Sequence, residues 1–149
     1  RLVPDIFKSI KNNKKIIKRN PNAVRPWQHI LEILNAFILI LLNKNSDNAE
    51  IFNIGPNLNS NVSVIKLIKL IKKTGRFKNL NIKIKKNLKY ESKILRLSNL
   101  KASKKINYKT KLNLKESVKL TIEWYKNYFL NRNIIFKYTQ KQITDYFNK

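Results

Sequence analysis

One long apolar run constrains the fold of this chain more than any other feature. Residues 27–43 read WQHILEILNAFILILLN, and beyond Asn35 a helix built from them is apolar on nearly every side. Because an all-apolar helix needs cover around most of its surface, the run predicts a helix that is buried on most faces. Its uninterrupted part, AFILILL, is far shorter than the roughly 20 residues that cross a bilayer, which favours a buried helix over a membrane span.

Helical and strand-like segments alternate along the rest of the chain. Periodicity predicts helices in LVPDIFKSIKNN, NVSVIKLIKLIKKTG, LKASKKI, LNLKESVKLTIEWYKNYFL and TQKQITDYF. Short apolar or alternating runs predict strands in KKIIKRN, AEIFNIGPN, LNIKIKKN and KILRLSN. Ser60 or Asn61 is the expected N-cap of the second of these helices and Gly75 its C-terminal cap, whereas Asn113 and Glu116 have capping-box spacing. The alternation predicts the α/β class.

The composition fits one domain of a longer protein. The chain has 149 residues, 42% of them hydrophobic, which is enough for a core. It contains no cysteine, which excludes disulfides and thiolate metal sites and suits a reducing cytoplasm. It also contains no methionine, and Arg1 opens directly into a helix-like segment. We therefore expect residues 1–149 to be a piece of a larger polypeptide.

The net charge of +25 has two interpretations. A polyanion such as nucleic acid would bind a strongly basic chain, so a basic nucleic-acid-binding module is one hypothesis. The alternative is coding bias, since Lys, Asn and Ile share A/T-rich codons and the basic residues are mostly Lys. The lysines are spread along the chain without a compact stripe. This favours coding bias, and we expect no specific nucleic-acid partner.

Several catalytic motifs are absent from the sequence. The chain has two glycines, Gly55 and Gly75, so it holds no G-x-G-x-x-G phosphate loop. One histidine without cysteine does not make a His/Cys metal site. No Ser-His-acid arrangement and no Tyr-x-x-x-Lys pair can be found. We therefore predict no catalytic residue and no metal ligand, and we do not expect this polypeptide alone to catalyse a reaction.

The most specific stretch is residues 20–32, NPNAVRPWQHILE. Arg25 lies between two proline-stiffened turns just before a helix, where a guanidinium suits two-pronged recognition of a diphosphate, although an ordinary surface arginine is the plainer interpretation. His29, in the first helical turn, is expected to be a structural hydrogen-bonding histidine, and Trp27 a packing residue. Glu91 stands alone in the basic run KKNLKYESK. It is either a surface carboxylate or an acceptor for sugar or ribose hydroxyls.

Four segments carry a resemblance to a known family. RLVPDIFKSI, RNPNAVRPWQHILE, FNIGPN and the stretch from SKILRLSN to TIEWYKNYF occur in the order and spacing found in one group of enzymes. They resemble the C-terminal part of nucleotide-sugar 4,6-dehydratases, which belong to the NAD-dependent epimerase/dehydratase family of extended short-chain dehydrogenases. NPNAVRPWQH is the specific signal, and the resemblance covers essentially the whole chain.

The resemblance implies an N-terminal Rossmann domain that holds NAD and a smaller C-terminal lobe that holds a nucleotide sugar. Residues 1–149 would be mostly that lobe, with the segment of about residues 27–56 packed on the missing Rossmann domain. The implied reaction removes water from CDP-glucose to give a 4-keto-6-deoxy sugar for deoxysugar and polysaccharide synthesis. NAD takes a hydride from C4 and returns it to C6. The catalytic Tyr, Lys and Thr/Ser would all precede Arg1.

The resemblance also implies roles for individual residues. Arg1 and Arg25 correspond to cationic contacts of the nucleotide diphosphate, Asn53 to a contact near the nucleotide, and Glu91 to the acidic residue that faces the ribose or base. The intact enzyme would be a cytoplasmic homo-oligomer. Two departures stand out: Tyr90 occupies a position that is often His, and residues 106–110 read INYKT where the family has Leu-Gly-Trp-x-Pro.

Overall fold

The computed structural model describes residues 2–18, 20–43, 50–84 and 92–149. Its helices and strands follow the chain in this order: α1 (Leu2–Lys11), β1 (Ile16–Lys18), β2 (Val24–Pro26), α2 (Ile30–Leu42), β3 (Asn61–Ser63), α3 (Val64–Gly75), β4 (Ile82–Ile84), α4 (Leu100–Ile106), α5 (Leu114–Leu130) and α6 (Ile135–Phe147). Two short 3₁₀ turns, Leu58–Ser60 and Arg132–Ile134, precede β3 and α6. Helices and strands thus mix along the chain, as the sequence predicts.

The strands form two small pairs. β1 and β4 run parallel, with Ile16 opposite Ile82. β2 and β3 run antiparallel, with Arg25 opposite Val62. The backbone of Val24 also exchanges hydrogen bonds with Lys93 (2.8 Å) and Leu95 (3.1 Å) on the other edge of β2. Strand β2 therefore lies in the middle, with β3 on one side and residues 93–95 on the other.

The main core lies where α1, α3 and α5 meet. Each helix places apolar residues at helical spacing on one face, and these faces enclose nine buried side chains: Ile6, Phe7, Ile16, Leu67, Ile68, Ile71, Leu80, Val118 and Ile122. The ring of Phe7 stacks on Tyr125 at 4.0 Å between ring centroids. This packing holds the helices behind the strand pair that contains Arg25.

The start of α5 is as predicted. The Asn113 side chain accepts the Glu116 backbone N–H at 3.0 Å, and the Glu116 carboxylate accepts the Asn113 backbone N–H at 2.8 Å. The side chain of Glu116 also pairs with Lys149, the last residue. Helix α6 returns along α5, where Gln142 donates to the carbonyl of Leu120 at 2.9 Å. Glu116 thus links the start of α5 to the end of the chain after α6.

The predicted ends of α3 are wrong. Its N-cap is Ser63 rather than Ser60 or Asn61, because residues 61–63 pair with β2 before the helix begins. Its C-cap is Arg76, which adopts the left-handed conformation at φ 56°. Gly75 remains helical, and a Cβ atom there would lie 2.0 Å from Cε2 of Phe77. Glycine at position 75 thus leaves room for this ring and does not make a turn.

The strand predicted in AEIFNIGPN does not form. Residues 50–57 have no ladder partner in the described part of the chain. The segment is nevertheless alternating: Phe52 and Ile54 pack on a second core cluster of Ala36, Ala102, Ile106 and Tyr108, whereas Asn53 between them is exposed. Of the strand predicted in KILRLSN, only a single bridge between Ile94 and Val24 is present.

Helix α2 begins at Ile30, because His29 is its N-cap. The rest of the described chain covers one face of this helix. The prediction of burial on most faces is wrong for this chain. A second face, here called the α2 apolar face, is exposed and consists of Ile30, Leu34, Phe37, Ile38 and Leu41, the last of which is 84% exposed. In the described residues no helix is both long and apolar enough to span a bilayer.

The left-handed cap of α3 yields a stability prediction. Replacing exposed Arg76 by Gly should raise the free energy of unfolding by about 0.5–1 kcal/mol, because glycine adopts positive φ without a Cβ clash. Urea unfolding of both proteins measures this difference. The matched control is Lys73→Gly in the last turn of α3, where glycine should cost about 1 kcal/mol. Destabilisation by both substitutions would contradict the prediction.

Candidate functional site

Arg25 occupies the middle of a three-segment arrangement. It lies on β2 between β3 and residues 93–95, and its side chain is half-buried. Nη1 donates to the carbonyl of Val24 at 2.8 Å. Pro26 follows and fixes its own φ, while Trp27 donates from Nε1 to the carbonyl of Val62 at 2.8 Å. The guanidinium is thus carried by a backbone that is held from both sides.

Asn53, the second predicted contact, lies on the extended segment that leads to Gly55. Gly55 is buried against the chain near the start of α4, and a Cβ atom there would lie only 2.7 Å from the carbonyl oxygen of Leu97. The close approach of two backbones explains glycine at this position. Its carbonyl accepts the amide N–H groups of Gln28 and Asn99, both at 3.3 Å. We call residues 52–57 the Gly55 segment.

Gln28 connects the two predicted contacts. It follows Arg25 by three residues, and its Nε2 also donates to the Tyr108 hydroxyl at 2.6 Å. The described structure therefore places the loop after Arg25 directly against the Gly55 segment that carries Asn53. Beside Gly55 lies an open groove of about 430 Å³, whose polar lining residues are Asn57, Arg96, Ser98 and Asn99.

A buried carboxylate anchors this junction. Glu32, in the first turn of α2, is 1% exposed. Its Oε1 accepts the backbone N–H groups of Lys111 (2.9 Å) and Leu112 (2.6 Å), and its Oε2 accepts the Tyr108 hydroxyl at 3.4 Å. These bonds satisfy a charge that would otherwise be costly to bury. Burial, followed by the nearby Glu32 charge, raises the pKa of Tyr108 well above its ordinary value.

Residues 106–110, which depart from the pattern of the resemblance, form a turn at the end of α4. Asn107 caps α4 in the left-handed conformation at φ 52°, where asparagine is tolerated better than most residues. Tyr108 follows and is 1% exposed. Thr110 donates from Oγ1 to Oδ1 of Asn57 at 2.6 Å. We call residues 108–112 the anchor strap, because they bind both Glu32 and the Gly55 segment.

Two of the four predicted contacts, Arg1 and Glu91, lie outside the described residues, as does Tyr90. Their proposed roles therefore remain predictions. The chain resumes at Ser92, and Lys93 pairs with Val24, the neighbour of Arg25. No cluster of three or more His, Asp or Glu side chains that could hold a metal ion occurs among residues 2–18, 20–43, 50–84 and 92–149.

His29 and Trp27 have the structural roles predicted for them. The imidazole Nδ1 of His29 accepts the backbone N–H of Leu31 at 3.3 Å and so caps α2. Its side chain also lines an apolar groove of about 470 Å³ between α1, α2, α5 and α6. Trp27 packs against the main core. Neither side chain is placed as a catalyst.

Glu32 and Tyr108 were not predicted as site residues. Glu32 reads as an ordinary acid in a first helical turn, and its bonding partners are 76 to 80 positions later in the chain. One signal was present: a carboxylate beside an almost wholly apolar run must be satisfied somewhere. Which residues satisfy it depends on tertiary contacts that no local pattern reports.

The cap of α2 gives a pH prediction. Burial lowers the pKa of His29 below its ordinary value of 6.5, so the unfolded chain takes up this proton more readily than the folded chain. Stability should therefore fall as the pH decreases from about 6.5 through the lower folded pKa, and the protonated Nδ1 can no longer accept the Leu31 N–H. His29→Asn keeps an acceptor at the cap and does not titrate.

Urea unfolding between pH 7 and pH 5 should show a smaller loss of stability for His29→Asn than for the wild type. The chain has one histidine, so no other histidine titrates in this window. Equal slopes for the two proteins would rule out His29 as the titrating group.

Comparison with known proteins supplies relatives over the whole chain. The chain is 28% identical to a CDP-glucose 4,6-dehydratase from Salmonella typhimurium over 151 aligned residues, which cover 98% of this chain and 41% of the relative. No family model matches. The chain thus spans about two fifths of the length of the curated relative, and the resemblance predicted from sequence is confirmed.

Solved structures establish the fold. UDP-glucuronic acid 4-epimerase from Bacillus cereus, solved with a fluorinated sugar nucleotide and NAD, matches with a TM-score of 0.74 at 18% identity, over 85% of this chain and 40% of that one. UDP-glucose 4-epimerase from Thermotoga maritima, solved with UDP-glucose, matches with 0.72 at 22% identity, over 88% and 40%.

A third relative is dTDP-glucose 4,6-dehydratase from Bacillus anthracis, solved with NAD. It matches with a TM-score of 0.72 at 17% identity, over 85% of this chain and 39% of that chain. This chain therefore has the fold of the C-terminal part of the extended short-chain dehydrogenases and resembles in sequence the CDP-glucose 4,6-dehydratases of their epimerase/dehydratase family.

Proposed function

We propose that this chain is the substrate-binding part of an NAD-dependent nucleotide-sugar 4,6-dehydratase whose substrate is CDP-glucose. The reaction removes water to give CDP-4-keto-6-deoxyglucose, so the enzyme is a carbon–oxygen lyase. One observation carries the proposal: Arg25, in the stretch most specific to the resemblance, lies on a held strand whose following residues bond directly to the Gly55 segment. Two parts of the proposed nucleotide site thus adjoin.

The residues suit the binding of a charged substrate more than a chemical step. A guanidinium on a rigid strand is suited to a diphosphate, because its donors match phosphate oxygens in pairs. Asn53 is exposed on the Gly55 segment, and its amide can donate or accept. The net charge of +25 would favour the approach of a dianionic ligand. Fixing the substrate in this way supplies a large share of catalysis by orientation.

The proposal assigns NAD binding to a part of the enzyme outside this chain. With two glycines and no glycine-rich phosphate loop, the residues of this chain do not fit NAD. In the proposal NAD is bound by the remaining part of the enzyme, which would also contain the acid–base residues. This chain alone is then inactive, and its task is to bind and orient the nucleotide sugar. The cytoplasm, where sugar nucleotides are made, is the expected compartment.

The α2 apolar face supports a two-part enzyme. It presents five large apolar side chains to solvent, and Phe37 and Leu41 are 54% and 84% exposed. A patch of this size on a helix calls for a partner. In the proposal, residues of about 27–56, with α2 and the unpaired Gly55 segment, pack on the Rossmann domain. That domain would also supply strand neighbours for residues 50–57, which pair with no strand among the described parts of the chain.

Two other functions remain as alternatives. Another epimerase or dehydratase of the same family would have the same fold, since UDP-sugar epimerases match as well as the dehydratase does. A basic nucleic-acid-binding module would use the positive charge alone. It would bind with a steep loss of affinity as salt increases, whereas a nucleotide-sugar site should discriminate between bases at constant salt.

The proposal predicts a specific nucleotide affinity. Calorimetric titration of CDP into the intact protein should show binding, and Arg25→Ala should weaken it about 10–100-fold, the range expected for a lost charge-assisted hydrogen bond. The matched control is Arg132→Ala, which removes an exposed arginine of the turn before α6 and should leave CDP affinity unchanged.

Titration of dTDP and UDP under the same conditions tests the base. Preference for CDP supports the proposed substrate. Equal affinity for all three would remove the CDP-glucose assignment and leave the broader family function. No binding of any nucleotide would overturn the proposal.

A further inference from the structure

We propose that Tyr108 is a positioning residue, whose hydroxyl holds the Gly55 segment in register with the Arg25 strand. This inference deepens the proposed function and rests on it for the identity of the ligand. Tyr108 itself is 1% exposed and would not touch the nucleotide sugar. Its effect would pass through Gln28, the side chain that contacts both the tyrosine and the segment.

The hydroxyl of Tyr108 lies between a donor and an acceptor. It receives a hydrogen bond from Nε2 of Gln28 at 2.6 Å and donates to Oε2 of Glu32 at 3.4 Å. An oxygen that accepts on one side and donates on the other fixes the orientation of the Gln28 amide. Without the Tyr108 hydroxyl, the Gln28 amide would lose a short hydrogen bond and could rotate.

Gln28 transmits this orientation to the site. The same Nε2 donates to the Gly55 carbonyl at 3.3 Å, the longer and weaker of its two bonds. Gly55 is pressed against the Leu97 backbone on its other side, so a small displacement of its carbonyl must move the rest of the segment. Asn53 is two residues away on that segment, and Arg25 is three residues before Gln28. The position of Asn53 relative to Arg25 therefore depends on the side-chain amide of Gln28.

The rest of the anchor strap does not depend on the hydroxyl. The Lys111 and Leu112 backbone N–H groups bind Glu32 directly, and Thr110 binds Asn57. The ring of Tyr108 also packs in the second core cluster with Ala36, Ala102 and Ile106. Tyr108→Phe keeps the ring and all of these bonds. It should therefore fold while removing the two bonds of the hydroxyl, the short one from Gln28 and the longer one to Glu32.

Tyr146 provides a matched control. It is 2% exposed, and its hydroxyl also lies near Glu32, on the side of α6. Among the described residues this hydroxyl makes no hydrogen bond to Gln28 or to Gly55. Tyr146→Phe therefore removes a buried hydroxyl from the same carboxylate environment without touching the connection to the segment.

Hydrogen exchange on the unliganded intact protein is the first measurement. Tyr108→Phe should raise the exchange rate of the amides in the Gly55 segment about tenfold, the change expected for losing one net hydrogen bond of about 1.4 kcal/mol. Tyr146→Phe should change it less than about twofold. Gln28→Ala should reproduce the effect of Tyr108→Phe. Equal exchange in wild type and Tyr108→Phe would overturn the inference.

CDP titration is the second measurement. Affinity should fall about threefold to tenfold for Tyr108→Phe, because binding must then order a segment that the lost bond no longer holds. Tyr146→Phe should bind CDP like the wild type. Equal losses in both variants would reduce Tyr108 to a general stabilising role and overturn the inference. If the wild type itself fails to bind CDP, the proposed function fails, whereas the exchange measurement still decides the role of Tyr108.

Discussion

The buried Glu32 carboxylate is the interaction on which the arrangement of the site depends. A carboxylate shielded from water is stable only when several donors surround it, and here two backbone N–H groups and a tyrosine hydroxyl do so. All three donors come from the anchor strap. If α2 and the strap separated, the Glu32 carboxylate would lose its donors while still buried among apolar side chains. The strap in turn binds Asn57 of the Gly55 segment. Helix α2 begins at Ile30, four residues after Pro26, the last residue of the strand that contains Arg25. The buried carboxylate thus links both parts of the candidate site.

This constraint explains why the site is built from distant parts of the chain. The Arg25 strand is held by β3 and residues 93–95, the Gly55 segment by Leu97, Asn99 and Gln28, and both meet at the N-terminal end of α2. The core of α1, α3 and α5 supports this junction through Trp27 and Val62, which pack against it. The α2 apolar face is exposed, although Ile30 and Leu34 also line the groove that α2 shares with α1, α5 and α6. In the proposal, the second part of the enzyme covers this face.

Local signals predicted the helices well and the pairing of strands poorly. Helices α4 and α5 and the capping box at Asn113 are decided by residues within one turn, which a sequence displays directly. Residues 51–57 have the alternation of a strand, but a strand needs a partner, and none occurs among the residues that the structure describes. Gly75 was assigned to the helix cap because glycine favours positive φ, yet it is helical and lies against the ring of Phe77. Arg25 became a candidate through its flanking prolines and the family resemblance, and its role stays a prediction, whereas Glu32 and Tyr108 depend on contacts 76 residues apart.

The most direct test of the account is a crystal structure of the intact protein with CDP bound. The account predicts the diphosphate within hydrogen-bonding distance of the Arg25 guanidinium, with the nucleotide lying along the Gly55 segment and with Gln28 still bonded to Tyr108. A nucleotide bound elsewhere, with the Arg25 side chain directed away from it, would contradict the central claim that the β2 strand and the Gly55 segment together form the binding site.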